Sequence, residues 1–288
     1  MKSEAEKNLV QAFQKDGYVL IKGVFSPEEI SDLRDKVLKL KNRDGDILSH
    51  DSLRHILLDD RVLAHVRNLL ADRIVYCGDS SVNFVDGVGY RGFHQDSTDD
   101  FEDPITTECP IVRLGIYLQD HAHHSGGLKV RRGSHRHVYL GPVNLRRLLT
   151  GEPNGPLPQK AFRLGKGVNL DIEPGDLAIW NLRTWHTGNA VRLKWLPNLC
   201  LSPRVENYIP EWMLLPDIRP RAAFFATFGL PSARLETYIK ERATHYSNEE
   251  HWKACRFDEP SIAAECAAKN IDLRFDGLTL SRSGYKYS

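Results

Sequence analysis

The residues Phe93-His94-Gln95-Asp96-Ser97 place an imidazole and a carboxylate two positions apart in the chain. In an extended strand, residues two apart project from the same face, so His94 and Asp96 would lie side by side. Two imidazoles and one carboxylate, with coordination positions left open, form the ligand set of mononuclear non-haem iron(II) oxygenases. The motif therefore predicts a second histidine on a strand further along the chain.

His186 meets this requirement. It follows a turn at Glu173-Pro174-Gly175-Asp176 and a short apolar run over residues 177–180, a pattern that predicts a strand end. The interval between Asp96 and His186 is long enough for several strands. A histidine two residues before an aspartate is a weak signal by itself, because the chain contains 12 histidines. The motifs around it strengthen the prediction.

These motifs occur in a specific order along the chain. They are Gly92-Phe93-His94-Gln95-Asp96, a predicted strand over residues 111–120, Ser125-Gly126-Gly127 leading to Gly133-Ser134-His135, and Pro174-Gly175-Asp176 before His186. Together they resemble the phytanoyl-CoA dioxygenase family of iron(II)/2-oxoglutarate oxygenases, over the stretch from Gly17 to Val205. The family name does not imply a phytanoyl-CoA substrate, because one scaffold hosts many functions.

The resemblance implies both a metal centre and a reaction. His94, Asp96 and His186 would hold iron(II), with 2-oxoglutarate and O₂ as cosubstrates. The enzyme would form succinate and CO₂ while it hydroxylates an unactivated C–H bond of a small metabolite or natural-product intermediate. In related halogenases a small residue replaces the carboxylate ligand, so Asp96 favours hydroxylation. Desaturation, epoxidation and ring closure stay open as reaction types.

The far carboxylate of 2-oxoglutarate needs a cation, and arginine suits it because its planar fork binds a carboxylate through two hydrogen bonds. In the resembled family an arginine lies shortly after the distal histidine. The candidates here are Arg192, Lys194 and Arg204. Arg192, six positions after His186, is the first choice. Arg204 is the second, at the end of a strand predicted over residues 198–202.

Three polar residues are predicted to complete the cosubstrate site. Thr187 and Asn189 follow the distal histidine and could donate hydrogen bonds to the far carboxylate. Asn83, on the strand before His94, is a candidate for the 1-carboxylate, with an ordinary edge asparagine as the alternative.

Two other polar segments lie near the predicted metal motif and after the next predicted strand. The acidic stretch Ser97–Pro104 beside the metal motif is either a solvated loop or a substrate lid. His121, His123 and His124 precede a Ser-Gly-Gly turn, so we predict exposed turn histidines there and no metal site.

Composition limits the class of protein. The chain has 288 residues, of which 41% are hydrophobic and 27% charged, and a net charge of +1. This balance gives no reason to expect a nucleic-acid or membrane partner. The five cysteines form no CxxC pair, and no apolar run is long enough for a signal core or a membrane span. These features predict a cytoplasmic protein.

The periodicity of apolar residues predicts one mainly β domain. Residues 1–72 carry the pattern of supporting helices, with helix-start signals at Ser3 and Ser26. Residues 73–205 read as short strands, which suggests a double-stranded β-helix, the cupin-like jelly roll. Residues 206–288 read as a helical C-terminal extension that would cover the site or form a homodimer contact.

Two other classes of function remain open from the sequence. One is a cupin-type metal enzyme that does not use 2-oxoglutarate and needs no buried arginine. The other is a non-catalytic jelly roll that binds a ligand or a partner, which the intact triad argues against.

Overall fold

The computed structural model describes residues 3–40, 45–86, 93–96, 111–136, 167–201, 203–206, 208–246, 255–257, 259–274, 278–281 and 284–287. Four α-helices lie in the described N-terminal part, and two of them begin with the predicted capping boxes: Ser3 with Glu6, and Ser26 with Glu29. In each box the serine Oγ accepts from the backbone N–H of the glutamate at 3.2 Å. The helices are α1 (Glu4–Asp16), α2 (Pro27–Lys39), α3 (Arg54–Leu57) and α4 (Asp60–Leu69).

Eleven described strands form the rest of the framework. They are β1 (Tyr18–Ile21), β2 (Ile74–Val85), β3 (Ile111–Tyr117), β4 (Gly127–Arg131), β5 (Gly167–Asn169), β6 (Leu177–Asn181), β7 (His186–Ala190), β8 (Arg221–Gly229), β9 (Ile271–Leu273), β10 (Leu278–Ser281) and β11 (Gly284–Tyr287). The large sheet has the order β1-β6-β3-β8-β2-β9, and the small sheet has the order β5-β4-β7. β10 and β11 pair only with each other among the described strands, as a two-stranded sheet. The predicted mainly β fold with N-terminal helices is confirmed.

The two faces of the large sheet have different neighbours. On β3, Val112, Leu114 and Ile116 belong to the core that the N-terminal helices cover. The alternate residue Tyr117 belongs to a second cluster, which it forms with Val130 and other residues of the small sheet. The space between the two sheets is therefore lined by every second residue of each strand, as the two-residue period of a strand requires.

The C-terminal part differs from the prediction that the sheet ends near Val205. β8 lies between β2 and β3 in the large sheet, and β9 pairs in parallel with β2. β8 is buried on both faces, so its apolar residues do not alternate with polar ones, and this weakens the strand pattern in the sequence. Helices do follow it, at α6 (Ala233–Tyr246) and α7 (Pro260–Ala268). The division of the chain at residues 72 and 205 stays a prediction.

The residues from 193 to 220, which we call the crossing segment, connect β7 to β8. The segment contains the short helix α5 (Pro203–Glu206) and a 3₁₀ turn at Glu211–Met213. A buried ion pair between Lys129 on β4 and Glu206 attaches it to the small sheet. The Lys129 ammonium also donates to the carbonyl of Leu201 at 3.0 Å. None of the described helices is long and apolar enough to cross a membrane.

We expect Glu206→Ala to lower the free energy of unfolding by about 3–5 kcal/mol, because the change leaves the Lys129 ammonium buried without its carboxylate. Urea denaturation of the purified variant measures this loss. The double variant Lys129→Met/Glu206→Leu is the control, and it should lose less, because no buried charge remains. Equal losses in the two variants would contradict the assignment.

Candidate active site

Backbone hydrogen bonds bring His94, Asp96 and His186 together. The His94 N–H donates to the His186 carbonyl, and the His186 N–H donates to the His94 carbonyl, both at 2.9 Å. The Asp96 N–H donates to the carbonyl of Leu182 at 3.1 Å. The segment is thus extended, and one nitrogen or oxygen atom from each of the three side chains lies within 4.8 Å of the others.

Two further hydrogen bonds fix the side chains of this triad. His186 Nδ1 lies 2.9 Å from the carbonyl of Thr184, so Nδ1 carries the proton and Nε2 presents a lone pair. Nε2 lies 3.5 Å from Oδ2 of Asp96, and the Trp180 indole N–H donates to the same Oδ2 at 3.0 Å. Such outer hydrogen bonds orient metal ligands. The donor set and its compactness fit one iron(II) ion.

The electrostatic surroundings favour the metal-binding protonation states. Burial opposes ionisation of Asp96, but His186, Arg113 and the Trp180 hydrogen bond outweigh it, so the pKa of Asp96 lies below its ordinary value. Burial lowers the pKa of His186, with Asp96 opposing this shift. An ionised carboxylate and a neutral imidazole are the forms that bind metal.

Arg192 is not placed as the sequence suggested. Its side chain is buried, with Nη1 2.7 Å from the carboxylate of Asp171 and Nη2 donating to the carbonyl of Leu170 at 2.7 Å. Both groups lie just beyond the C-terminal end of β5. The described contacts of the guanidinium therefore direct it towards the end of β5, and the structure gives no support to Arg192 as the cosubstrate anchor.

The other two cations predicted after His186 also differ from expectation. Residues 198–201 form no strand, and Arg204 lies in helix α5, so it does not end a strand. The side chain of Arg204 lies outside the described residues. Lys194 Nζ donates to the carbonyl of Trp212 at 2.7 Å, within the crossing segment.

The three predicted polar residues lie in different places. Thr187 is buried opposite Lys129, on the face of β7 away from His186, because adjacent strand residues point in opposite directions. Asn83 on β2 pairs with Ala223 on β8. Ala223 belongs to the cluster between the two sheets, so Asn83 lies on the same, inward face of the large sheet. Asn189 has a left-handed backbone (φ 59°) and lines a cavity of about 730 Å³.

Arg221, which sequence reasoning missed, lines the same cavity as Asn189. It begins β8 two positions before Ala223, so it shares the inward face of that strand. Its side chain is buried, Nη1 donates to the carbonyl of Gly126 at 3.0 Å, and Nε lies 3.6 Å from the carboxylate of Asp217. A buried guanidinium thus lies at the first residue of a central strand, on the face that is directed between the sheets.

Tyr117 interacts electrostatically with both Arg221 and the triad residue Asp96. Tyr117 lies opposite Ala223 on the inward face of the large sheet. Burial and the Asp96 carboxylate raise the pKa of the Tyr117 phenol, and Arg113 and Arg221 oppose this shift. The charges of Asp96 and Arg221 therefore both act on this one buried phenol. The signal in the sequence that could have indicated Arg221 is its position directly before the mostly apolar run of residues 222–228.

The histidine cluster after β3 is only partly as predicted. His123 is exposed, but His121 is buried, with Nε2 2.8 Å from the Gln119 amide nitrogen and Nδ1 3.2 Å from the carbonyl of Ser125. Burial lowers the pKa of His121 to about 4. Both ring nitrogens serve to hold the turn. The predicted lid, residues 97–104, lies outside the described residues.

Comparison with known proteins places these features in a family. Residues 41–192 match the family model described as phytanoyl-CoA dioxygenase (PhyH). The chain is 26% identical over 261 residues to the ectoine dioxygenase of Stutzerimonas stutzeri (strain A1501), covering 76% of this chain and 82% of that protein.

Solved structures share the fold. EctD from S. alaskensis with 2-oxoglutarate and 5-hydroxyectoine matches with a TM-score of 0.52 and 19% identity, covering 80% of this chain and 78% of that one. The epimerase SnoN, in complex with Fe³⁺, alpha ketoglutarate and nogalamycin RO, matches with a TM-score of 0.51 and 18% identity, covering 78% and 83%. The family match spans more than half of the chain and includes all three triad residues. The chain belongs to the phytanoyl-CoA dioxygenase family.

Proposed function

We propose that the protein is an iron(II)/2-oxoglutarate-dependent dioxygenase that acts on a small molecule. The observation that carries this proposal is the compact triad of His94, Asp96 and His186. The family match supports this proposal. One relative is named as a dioxygenase, and the two similar solved structures contain 2-oxoglutarate, one of them together with iron. When bound, iron(II), 2-oxoglutarate and O₂ would supply oxidative decarboxylation, in which one oxygen atom of O₂ goes into succinate as CO₂ is released and the other goes into a substrate C–H bond.

The residues of the chain would bind and orient the reactants. His94, Asp96 and His186 hold the metal, and the indole N–H of Trp180 fixes the carboxylate of Asp96. Arg221 replaces Arg192 as our proposed anchor for the far carboxylate of 2-oxoglutarate, because it is buried on the inward face of β8 beyond Tyr117. A low-dielectric interior strengthens such a charged contact.

The proposed reaction type rests on Asp96, and the proposed class of substrate rests on a relative. Asp96 keeps a carboxylate in the metal set, which favours hydroxylation over halogenation. The ectoine dioxygenase relative favours a small polar metabolite as the class of substrate. The cytoplasmic location and the homodimer contact stay predictions from the sequence.

We expect succinate to form when a metabolite library is incubated with the protein, iron(II), 2-oxoglutarate and ascorbate under air. Mass spectrometry should show one product that is heavier by one oxygen atom. Asp96→Gly should lose this product. Turnover without 2-oxoglutarate would support a cupin-type enzyme of another kind, and a protein that binds no iron(II) would support a non-catalytic jelly roll.

A further inference from the structure

A row of polar residues crosses the inward face of the large sheet beside the triad. Arg113 on β3 lies opposite Thr227 on β8 and, on its other side, opposite Trp180 on β6. Asp79 on β2 joins this row where a bulge interrupts the pairing of β2 with β8. Bulges redirect side chains, which accounts for a carboxylate at this point of a buried strand.

The Asp79 carboxylate is buried and surrounded by donors. Its Oδ2 accepts from Arg113 Nη1 at 2.7 Å, from the Thr227 hydroxyl at 2.9 Å and from the Tyr238 hydroxyl at 2.6 Å. Its Oδ1 accepts from Arg242 Nη2 at 3.2 Å. Tyr238 and Arg242 belong to α6, so this helix supplies two of the four donors to the Asp79 carboxylate.

Arg113 connects this network to the triad. Its Nε lies 3.9 Å from Oδ2 of Asp96, the same oxygen that accepts the hydrogen bond from Trp180. Asp96 is therefore flanked by a neutral donor and by a permanent cation. Since Asp79 fixes the other end of the guanidinium, the cation has little freedom to move away from Asp96.

We propose that Arg113 is a positioning residue for Asp96: Asp79 clamps the guanidinium, which keeps the Asp96 carboxylate facing His94 and His186. This inference rests on the proposed function, because it treats the triad as the iron site. It assigns a role to α6, whose two side chains hold Asp79 in place. The competing explanation is that Arg113 only neutralises the buried charge of Asp79.

The test measures iron(II) affinity, without turnover. Iron(II) is titrated under argon into wild type, Arg113→Met and Arg113→Lys, each in the presence of 2-oxoglutarate. The visible charge-transfer band of the iron(II)–2-oxoglutarate complex is recorded at each step. We expect Arg113→Met to bind iron(II) at least tenfold more weakly and to shift the band. Arg113→Lys should bind iron(II) more tightly than Arg113→Met but more weakly than wild type, because it keeps a cation near the two carboxylates without the planar fork that contacts both. If Arg113→Met does not fold, Arg113→Gln takes its place in the comparison.

Arg54→Met is the matched control. Arg54 is also a buried arginine paired with carboxylates, those of Asp51 and Glu265, but it belongs to the helical layer. Its loss should lower stability and leave iron(II) affinity unchanged. The proposal is overturned if Arg113→Met keeps wild-type affinity, if the lysine variant loses as much as the methionine variant, or if Arg54→Met weakens binding equally. Absence of iron(II) binding in wild type would instead refute the proposed function.

Discussion

His186→Ala is expected to lose most of its iron(II) affinity and all 2-oxoglutarate turnover while the fold is retained. The imidazole supplies one of three ligands, and its Nδ1 hydrogen bond to Thr184 has already oriented Nε2 for the metal. The backbone pairing between His94 and position 186 uses only N–H and carbonyl groups, so alanine preserves it. Calorimetric titration with iron(II) under argon and a succinate assay measure the two losses.

His135→Ala is the control for this experiment. His135 is likewise a buried histidine, but its Nε2 lies 3.0 Å from the carbonyl of Gln14, beside α1. This variant should bind iron(II) as wild type does, even if it unfolds at a lower temperature. A His186→Ala protein with normal iron(II) affinity would refute the triad.

Arg221→Ala is expected to raise the KM for 2-oxoglutarate by at least an order of magnitude, with iron(II) affinity nearly unchanged. Removing one partner of a buried charged contact costs about 2–5 kcal/mol, because the carboxylate of the cosubstrate is left desolvated and unpaired. Arg221→Lys should restore only part of the affinity, because an ammonium replaces a planar fork. Initial rates at varied 2-oxoglutarate concentration measure the effect.

Arg192→Ala tests which of the two arginines, Arg192 or Arg221, binds the far carboxylate of 2-oxoglutarate. It breaks the contact with Asp171 and two carbonyl contacts, so it should lower the melting temperature without changing the KM for 2-oxoglutarate. If Arg192→Ala raises the KM and Arg221→Ala does not, the anchor is the residue that the spacing after His186 predicted.

Local signals in the sequence predicted the parts of the structure that depend on neighbouring residues. The capping boxes at Ser3 and Ser26 predicted the starts of two helices. The two-residue spacing of His94 and Asp96 predicted their common face, and the turn before β6 predicted the strand that leads to His186. Each of these features depends on hydrogen bonds or strand periodicity within a few residues.

The parts that were missed depend on residues far apart in the chain. Each added loop residue costs little free energy, so no physical rule limited the length of the crossing segment, and the position of Arg221 could not be predicted from that of His186. Thr187 was predicted at the cosubstrate site because of its position next to His186, although the strand period points it to the other face. The contacts of Asp79 with Arg113 and α6 join three distant segments, and the sequence gives no local sign of them.

The central position of β8 in the large sheet also has a consequence for synthesis of the protein. Until residue 229 has left the ribosome, β2 and β3 lack the strand that hydrogen-bonds to both of them. A nascent chain that ends before Arg221 therefore leaves the edges of β2 and β3 that pair with β8 unpaired, and such edges are templates for association with other chains. Because these pairings join residues far apart in sequence, we expect the sheet to close late and slowly, so the nascent chain is most prone to aggregate during this interval.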